Sequence, residues 1–290
     1  MGKTSAMNLF RRLEQLNGIG AALSRERDIE RLLENILEAA KTLTGADGGT
    51  LYSVTDDHTA LHFEIMRTDS LGIRQGGTTG QRIALPDLPL RHADGSPNDA
   101  LVAAHSALHD RTVNIADAYA EEGFDFSGTR AFDQRTGYRS QSFLTVPMKN
   151  HDGELIGVLQ LLNALDPETG QVVAFSEADQ SLTESLASQA AIALSNRLLI
   201  SQLERLFESF VKLINIAIDE KSPYTGGHCE RVPALTMMLA EAADATTEGP
   251  LAEFHMTERD RYELQMAGLL HDCGKITTPV HVVDKATKLQ

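Results

Sequence analysis

Residues 256–275 read MTERDRYELQMAGLLHDCGK and predict a helix that ends in an adjacent histidine and aspartate. Thr257 is suited to cap this helix, because Asp260 follows three residues later. The imidazole of His271 and the carboxylate of Asp272 are costly to bury unless a charged group meets them. A metal ion would do so, since histidine offers nitrogen and aspartate offers oxygen. A His–Asp pair at a helix end, without any ion, fits the same residues.

A second stretch upstream extends the pattern. Residues 220–232 read EKSPYTGGHCERV, and His228 and Arg231 stand three positions apart. Side chains at that spacing share one face of a helix. We therefore expect a helix over residues 225–245 that carries His228 in its first turn.

Together the two stretches resemble the HD phosphohydrolase superfamily, and the run SPYTGGH resembles its HD-GYP branch. Members of that branch hydrolyse cyclic di-GMP in a metal-dependent reaction. The resemblance implies that His228, His271 and Asp272 are metal ligands, with Asp272 bridging two ions. It also implies that Lys275 contacts a phosphate and that Arg231 belongs to the catalytic site.

The same resemblance has implications for the number of metal ions and for the extent of the HD-type domain. Some HD-GYP proteins hold a third metal with a glutamate at the position where this chain has Tyr224, so we expect two divalent ions, iron or manganese. The later ligands of the family accompany a Gly-Tyr-Pro motif, which this sequence lacks. We therefore expect residues 222–290 to be the incomplete part of an all-α HD-type domain, from a longer enzyme or a degenerate one. The 290-residue chain is expected to hydrolyse phosphodiesters negligibly by itself.

Composition limits the classes of partner. Lys and Arg number 26 against 41 Asp and Glu, a formal charge of −15, which argues against nucleic acid and anionic membranes. There is no apolar run of about 20 residues and no apolar signal core. The two cysteines, Cys229 and Cys273, suggest a reducing compartment and two buried thiols. We expect a cytoplasmic protein.

The N-terminal two thirds predict an α+β domain built on an antiparallel sheet. Asp28 caps a strongly amphipathic helix that ends near Gly45. Residues 67–100 are rich in Gly, Pro and Asp and predict a loop, and residues 116–139 predict an ordered, lid-like segment. The remaining predicted elements are strands at 50–54, 61–65, 113–115, 142–148 and 155–162, a short helix at 101–108 and a long helix from Ser176.

The run LIGVLQLLN at residues 155–163, followed by Phe175 and Asp179, resembles the end of a GAF domain. The resemblance covers residues 26–197 and implies a sensor domain with flanking helices. Asn163, Phe175 and Asp179 match a signature of cyclic-nucleotide-binding GAF domains, which implies a cyclic nucleotide or another small molecule as ligand. Ala164 replaces the lysine that pairs with the aspartate in that signature, so Asp179 is expected to lack that partner. A GAF fold that serves dimerisation and signalling without a ligand is the alternative.

Apolar residues spaced alternately four and three apart over residues 192–217 predict a coiled coil that leads directly to the HD-like part. A parallel homodimer would bury this seam, and a matching seam in the N-terminal helix, at Leu9 to Leu23, would join it. Alternatively, the two seams pack against each other within one chain.

These observations predict four segments: an N-terminal dimerisation helix (1–25), a GAF domain (26–197), a helical linker (198–221) and an HD-GYP-like domain (222–290). The leading hypothesis is a phosphodiesterase for cyclic di-GMP that the GAF domain regulates. The alternatives are a non-catalytic dimeric regulatory module and an HD hydrolase for another nucleotide.

Overall fold

The computed structural model describes residues 2–221 and 227–283. The chain divides into two compact units, residues 1–199 and 200–290, and each is considered by itself. Among the described residues, every helix is too short or too polar to cross a membrane.

The N-terminal unit is built on one sheet of eight antiparallel strands. The central path runs β3–β2–β1–β7–β6–β5, while β4 pairs with β2 and β8 pairs with β7. Strands β1 and β7 lie in the middle and pair along most of their length. In chain order the strands are β1 Ala46–Val54, β2 Ala60–Thr68, β3 Ile73–Gly76, β4 Leu88–Pro89, β5 Val113–Ile115, β6 Phe143–Lys149, β7 Leu155–Leu165 and β8 Val172–Val173.

Helices cover this sheet and confirm the predicted α+β class. They are α1 Gly2–Leu23, α2 Ile29–Thr44, α3 Val102–His109, α4 Ser127–Thr136 and the first part of α5 Glu177–Lys221. Asp28 caps α2 by accepting a hydrogen bond from Arg31 N, and Gly45 ends it in the left-handed conformation. The main core lies between the sheet and α1, α2 and α5, and it includes Leu16 and Leu23 of α1.

The ordered segment predicted over residues 116–139 contains α4. The loop predicted over residues 67–100 was wrong, because β3 and β4 lie there and hydrogen-bond to β2. Both strands are short, so neither contains enough residues to show the two-residue alternation that marks a strand in a sequence.

The C-terminal unit is helical. It contains the end of α5, then α6 His228–Asp244, α7 Glu258–Leu270 and the single turn α8 Val280–Val283. The helix predicted from residue 225 begins three residues later, because Gly227 has a φ of 70° and interrupts helical geometry. Residues 222–226, including Tyr224, lie outside the described residues.

The coiled-coil seam of α5 is exposed in the single chain. Leu203 and Leu213 are 65% and 64% exposed, while Val211 and Ile218 on another face are buried. The exposed seam is available to a partner, and the identity of that partner stays a prediction.

Candidate metal centre

Helix α7 delivers two of the predicted ligands. Its first turn is fixed by a reciprocal capping box, in which Thr257 Oγ1 accepts from Asp260 N and the Asp260 carboxylate accepts from Thr257 N. The helix ends at Leu270, and His271 and Asp272 occupy the turn that follows. The local sequence thus places both side chains at the end of a fixed helix, as predicted.

Helix α6 delivers the third ligand, His228, as its first residue. The preceding residue, Gly227, adopts a left-handed conformation that is costly for a residue with a side chain. The Asp219 carboxylate accepts a hydrogen bond from Gly227 N at 2.9 Å. Asp219 therefore holds the turn from which His228 projects. In the sequence, Gly227 permits a turn of this kind, but no residue pattern links it to Asp219.

A close approach of α6 and α7 fixes the distance between the two sources of ligands. Gly268 is buried, and a Cβ atom at this position would lie 3.1 Å from Cα of Pro233. Such a contact is tighter than ordinary van der Waals packing. The backbones therefore meet one turn before His271 because residue 268 is glycine.

Three potential ligand atoms converge at this point. Nε2 of His271 lies 3.2 Å from Nε2 of His228 and 3.2 Å from Oδ2 of Asp272. Nε2 of His228 lies 3.4 Å from the same carboxylate oxygen. Atoms bound to one ion at about 2.1 Å are separated by about 3.0–3.4 Å in octahedral or tetrahedral geometry. The structure thus brings His228, His271 and Asp272 together at the spacing of a metal site.

The orientation of the His271 ring favours binding of a cation at Nε2. Its Nδ1 lies 2.7 Å from the carbonyl oxygen of Gly268, which can only accept a hydrogen bond. In the neutral ring Nδ1 therefore carries the proton and Nε2 presents a lone pair to His228 and Asp272. A backbone carbonyl that fixes the tautomer of a ligating histidine is a recurrent feature of metal sites.

Asp272 is ionised at neutral pH. Burial by itself would raise the pKa of this carboxyl, but the hydrogen bond from Lys275 and the nearby charges of His271, Lys275 and His228 outweigh it and lower the pKa. Lys275 Nζ lies 2.6 Å from Asp272 Oδ2. The predicted phosphate contact thus lies beside the predicted ligands and donates to one of them.

Arg231 lies further along α6, and its guanidinium packs beside Gly227, where a Cβ would be 3.2 Å from Nη1. Its catalytic role stays a prediction.

The two cysteines differ, and the expectation of two buried thiols was wrong for one of them. Cys229 is buried, whereas Cys273 is exposed in the turn after Asp272. Burial and the nearby carboxylates of Asp219 and Asp272 raise the pKa of the Cys229 thiol to about 11. Cys229 therefore stays a neutral thiol in the physiological range.

The three signature residues of the N-terminal unit hold the fold together. Phe175 is buried in the main core. Asn163 is buried with a φ of 53°, and its carboxamide bonds to the segment that leads into β6. Whether any of the three contacts a ligand stays a prediction.

Asp179 lacks the signature lysine, because residue 164 is alanine, but another cation meets its carboxylate. Arg12 of α1 donates to the Asp179 carboxylate and also to the carbonyl oxygen of Leu43. The other oxygen of Asp179 accepts from Ser176 N and Oγ at the start of α5. A cation from a distant helix thus replaces the lysine absent at Ala164, and nothing in the local sequence pattern indicates it.

Comparison with known protein families gives two matches along the chain. A model described as GAF domain matches residues 28–194, and one described as HD domain matches residues 225–290. The GAF domain of a phosphoenolpyruvate-protein phosphotransferase from Coxiella burnetii has a similar structure, with a TM-score of 0.50 and 17% sequence identity. The similarity covers 67% of this chain and 99% of that one, and it concerns the fold alone.

Two curated relatives are cyclic nucleotide phosphodiesterases. The chain is 31% identical over 118 residues to the dual 3′,5′-cyclic-AMP and -GMP phosphodiesterase 11A of Takifugu rubripes, and 37% identical over 105 residues to the dual phosphodiesterase 11 of Drosophila melanogaster. These matches cover 41% and 36% of this chain. They span only 12% and 7% of the relatives.

Proposed function

Since the chain belongs to the GAF domain family and its residues 225–290 match an HD domain, we propose that it is a metal-dependent phosphodiesterase for cyclic di-GMP under GAF control. The convergence of Nε2 of His228, Nε2 of His271 and Oδ2 of Asp272 is the observation that carries this proposal. A cytoplasmic location is part of it.

The residues fit the divalent ions that the HD domain implies. Two imidazoles and a carboxylate suit iron or manganese as well as zinc. The three atoms lie 3.2–3.4 Å apart, so they can share one ion without rearrangement of the backbone. Asp272 has a second carboxylate oxygen with which to bridge to another ion. Bound ions would supply Lewis acidity toward a phosphodiester and toward water.

Lys275 supplies a positive charge beside the candidate site. Its ammonium lies on the same oxygen, Oδ2 of Asp272, that would face an ion. Lys275 is thus placed to neutralise an oxygen of a phosphate that binds beside the site, and it would do so as negative charge develops there. Meanwhile Gly268 keeps His271 in one tautomer, and Asp219 keeps the turn before His228 in place.

The choice of cyclic di-GMP rests on the likeness of SPYTGGH to the HD-GYP branch. The names of the two curated relatives favour a second candidate, a cyclic mononucleotide. Both reactions hydrolyse a phosphodiester, and the metal site by itself does not choose between them. The alternative to an enzyme is a regulatory module without catalytic activity.

A panel of substrates tests the proposal on the protein expressed from its natural reading frame. The protein is loaded with Mn²⁺ or Fe²⁺ and incubated with cyclic di-GMP, cyclic AMP, cyclic GMP and bis(p-nitrophenyl) phosphate. Cyclic di-GMP should be hydrolysed with the highest kcat/KM. Preference for a cyclic mononucleotide would support the second candidate. If the metal-loaded protein turned over none of these substrates, the result would contradict both enzymes and favour the non-catalytic regulatory module.

A second copy of the chain is the proposed occupant of the α5 seam. Leu203, Leu206, Phe210 and Leu213 are all more than half exposed and follow the spacing of a coiled coil. Full burial of such side chains stabilises an assembly by about 1.5–3 kcal/mol each. A dimer through α5 would couple the GAF domain to the HD part, because one helix belongs to both units.

A further inference from the structure

A second cluster of metal-ligating side chains lies in the N-terminal unit, far along the sequence from the HD part. It consists of Asp99, in the turn before α3, and His105 and His109 of α3. The two histidines are four residues apart and therefore share one face of the helix. Oδ1 of Asp99 lies 2.6 Å from Nε2 of His109 and 3.3 Å from Nδ1 of His105.

Backbone contacts hold the turn that carries Asp99. The buried Asn98 donates from its amide to Pro89 O at 2.8 Å, and its own backbone N donates to Leu90 O. On the other side, Ala100 O accepts from Asp125 N at 2.7 Å. The position of Asp99 relative to α3 is thus set by the fold and is independent of the contact between the carboxylate and the imidazoles.

The hydrogen bonding of the cluster is incomplete. Nδ1 of His105 is buried and makes no hydrogen bond within the described part of the chain, although Asp99 Oδ1 is only 3.3 Å away. The ring is held in place, since Phe124 packs edge-on against it with 5.3 Å between ring centroids. The His109 ring lies beside it at 4.5 Å. A buried ring nitrogen without a proton partner is costly, and a cation would satisfy it.

We propose that Asp99, His105 and His109 bind one divalent transition metal ion of the zinc or cobalt class on the GAF domain. Two imidazoles and one carboxylate match the ligand preference of these ions and leave a fourth position for water. Ligands of a tetrahedral ion are about 3.4 Å apart. The distance from His105 to Asp99 is close to this value, and the carboxylate and the His109 ring would have to separate by somewhat less than about 1 Å. The ligand atoms of the two histidines lie within 4.8 Å of each other. Both of these side chains are more than 40% exposed and can move.

The bound ion would join the turn at Asp99 to both turns of α3. Helix α3 packs through Ala103 and Ala104 on the sheet, against Tyr52 and Val158. Metal occupancy would therefore brace one side of the GAF sheet. The proposal is independent of phosphodiesterase activity.

Metal titration of the full chain tests the proposal. The protein carries His271→Asn and Asp272→Asn, so that the candidate centre of the C-terminal unit does not bind the probe. Co²⁺ is added to metal-free protein, and its visible d–d absorption reports inner-sphere nitrogen and oxygen ligands. Zn²⁺ is measured in parallel by competition with a chromophoric chelator. We expect one equivalent of each ion to bind.

Variants assign the binding to the cluster. In the same background, His105→Gln and His109→Gln should each weaken Co²⁺ and Zn²⁺ binding at least about tenfold. The matched control is His62→Gln, because His62 Nδ1 lies 2.6 Å from Asp87 Oδ1 in an exposed pair that resembles the His109 pair but is not part of this cluster. This control should bind metal like the parent, and circular dichroism should show that all variants are folded.

Two results would overturn the proposal. One is the absence of saturable Co²⁺ or Zn²⁺ binding at about 100 μM metal, which corresponds to a Kd well above the micromolar range. The other is binding that His105→Gln and His109→Gln leave unchanged. Zn²⁺ should also raise the melting temperature of the parent but not that of a folded His109→Gln variant.

Discussion

Replacement of Asn163 by alanine should strongly destabilise the GAF domain, whether or not any ligand is present. Asn163 is 2% exposed, and its Oδ1 accepts from Gln141 N at 2.7 Å and from Ser142 N at 3.2 Å. Its Nδ2 donates to Arg139 O at 2.8 Å and to the hydroxyl of Tyr138 at 2.9 Å. The carboxamide therefore connects the end of β7 to the segment before β6.

The expected loss follows from these contacts. Two backbone N–H groups, one of them on the buried Ser142, would lose their acceptor at about 1–3 kcal/mol each. Alanine in the left-handed conformation adds about 1 kcal/mol, since Asn163 has a φ of 53°. The sum is about 3–7 kcal/mol, a large part of the stability of a typical domain. Asn163→Gly avoids the strain and should lose about 1 kcal/mol less than Asn163→Ala.

Pulse-labelling hydrogen exchange through a urea series measures this effect on peptides of the N-terminal unit alone, which separates its unfolding from that of the C-terminal unit. His58→Ala is the matched control, because His58 also has a positive φ, of 55°, but is exposed. It should change stability by no more than about 1 kcal/mol. If Asn163→Ala proved no more destabilising than His58→Ala, the hydrogen bonds of Asn163 would not contribute the stability expected of them.

Three further predictions concern other parts of the chain. With a thiol reagent at pH 8, Cys273 should react rapidly and Cys229 only after unfolding, because a thiol with a pKa of about 11 is about one part in a thousand thiolate; two equally fast thiols would contradict this. Replacement of both Leu203 and Leu206 by aspartate should convert a dimer to a monomer in sedimentation, and a wild-type monomer at tens of micromolar would refute the dimer. Arg12→Ala should lower the urea midpoint of the N-terminal unit, since a partly buried, charge-assisted hydrogen bond contributes about 1.5–3 kcal/mol; an unchanged midpoint would show that the pair contributes nothing.

The sequence was informative where a periodic pattern extends over many residues. Helix α2, with its cap at Asp28, and the paired strands β6 and β7 were predicted close to their observed bounds. Strands β3 and β4 were missed, because a strand of two to four residues forms through pairing with β2 and not through its own pattern. Long-range partners were missed for a similar reason, as the pair Arg12–Asp179 shows.

The same division applies to the candidate centre. The resemblance of two short motifs to the HD superfamily predicted the three candidate ligands, and the structure places these side chains together. Their role as ligands stays a prediction. The supporting groups were not predicted. Asp219 acts through the backbone of Gly227, and Gly268 acts as a carbonyl acceptor and as a contact surface for Pro233. Backbone roles of this kind leave little trace in a single sequence.

If Asp272 helps to hold the metal of a phosphodiesterase, its replacement should remove metal and activity together, and both are measured on the protein expressed from its natural reading frame. Asp272→Ala should lose both bound Mn²⁺ and hydrolysis of cyclic di-GMP, because it removes the carboxylate on which the two imidazoles converge. Lys275→Ala should keep the metal and lose about 10²–10³-fold in rate, as expected for one lost charge-stabilising contact. An Asp272→Ala variant with wild-type metal content and wild-type rate would contradict the account.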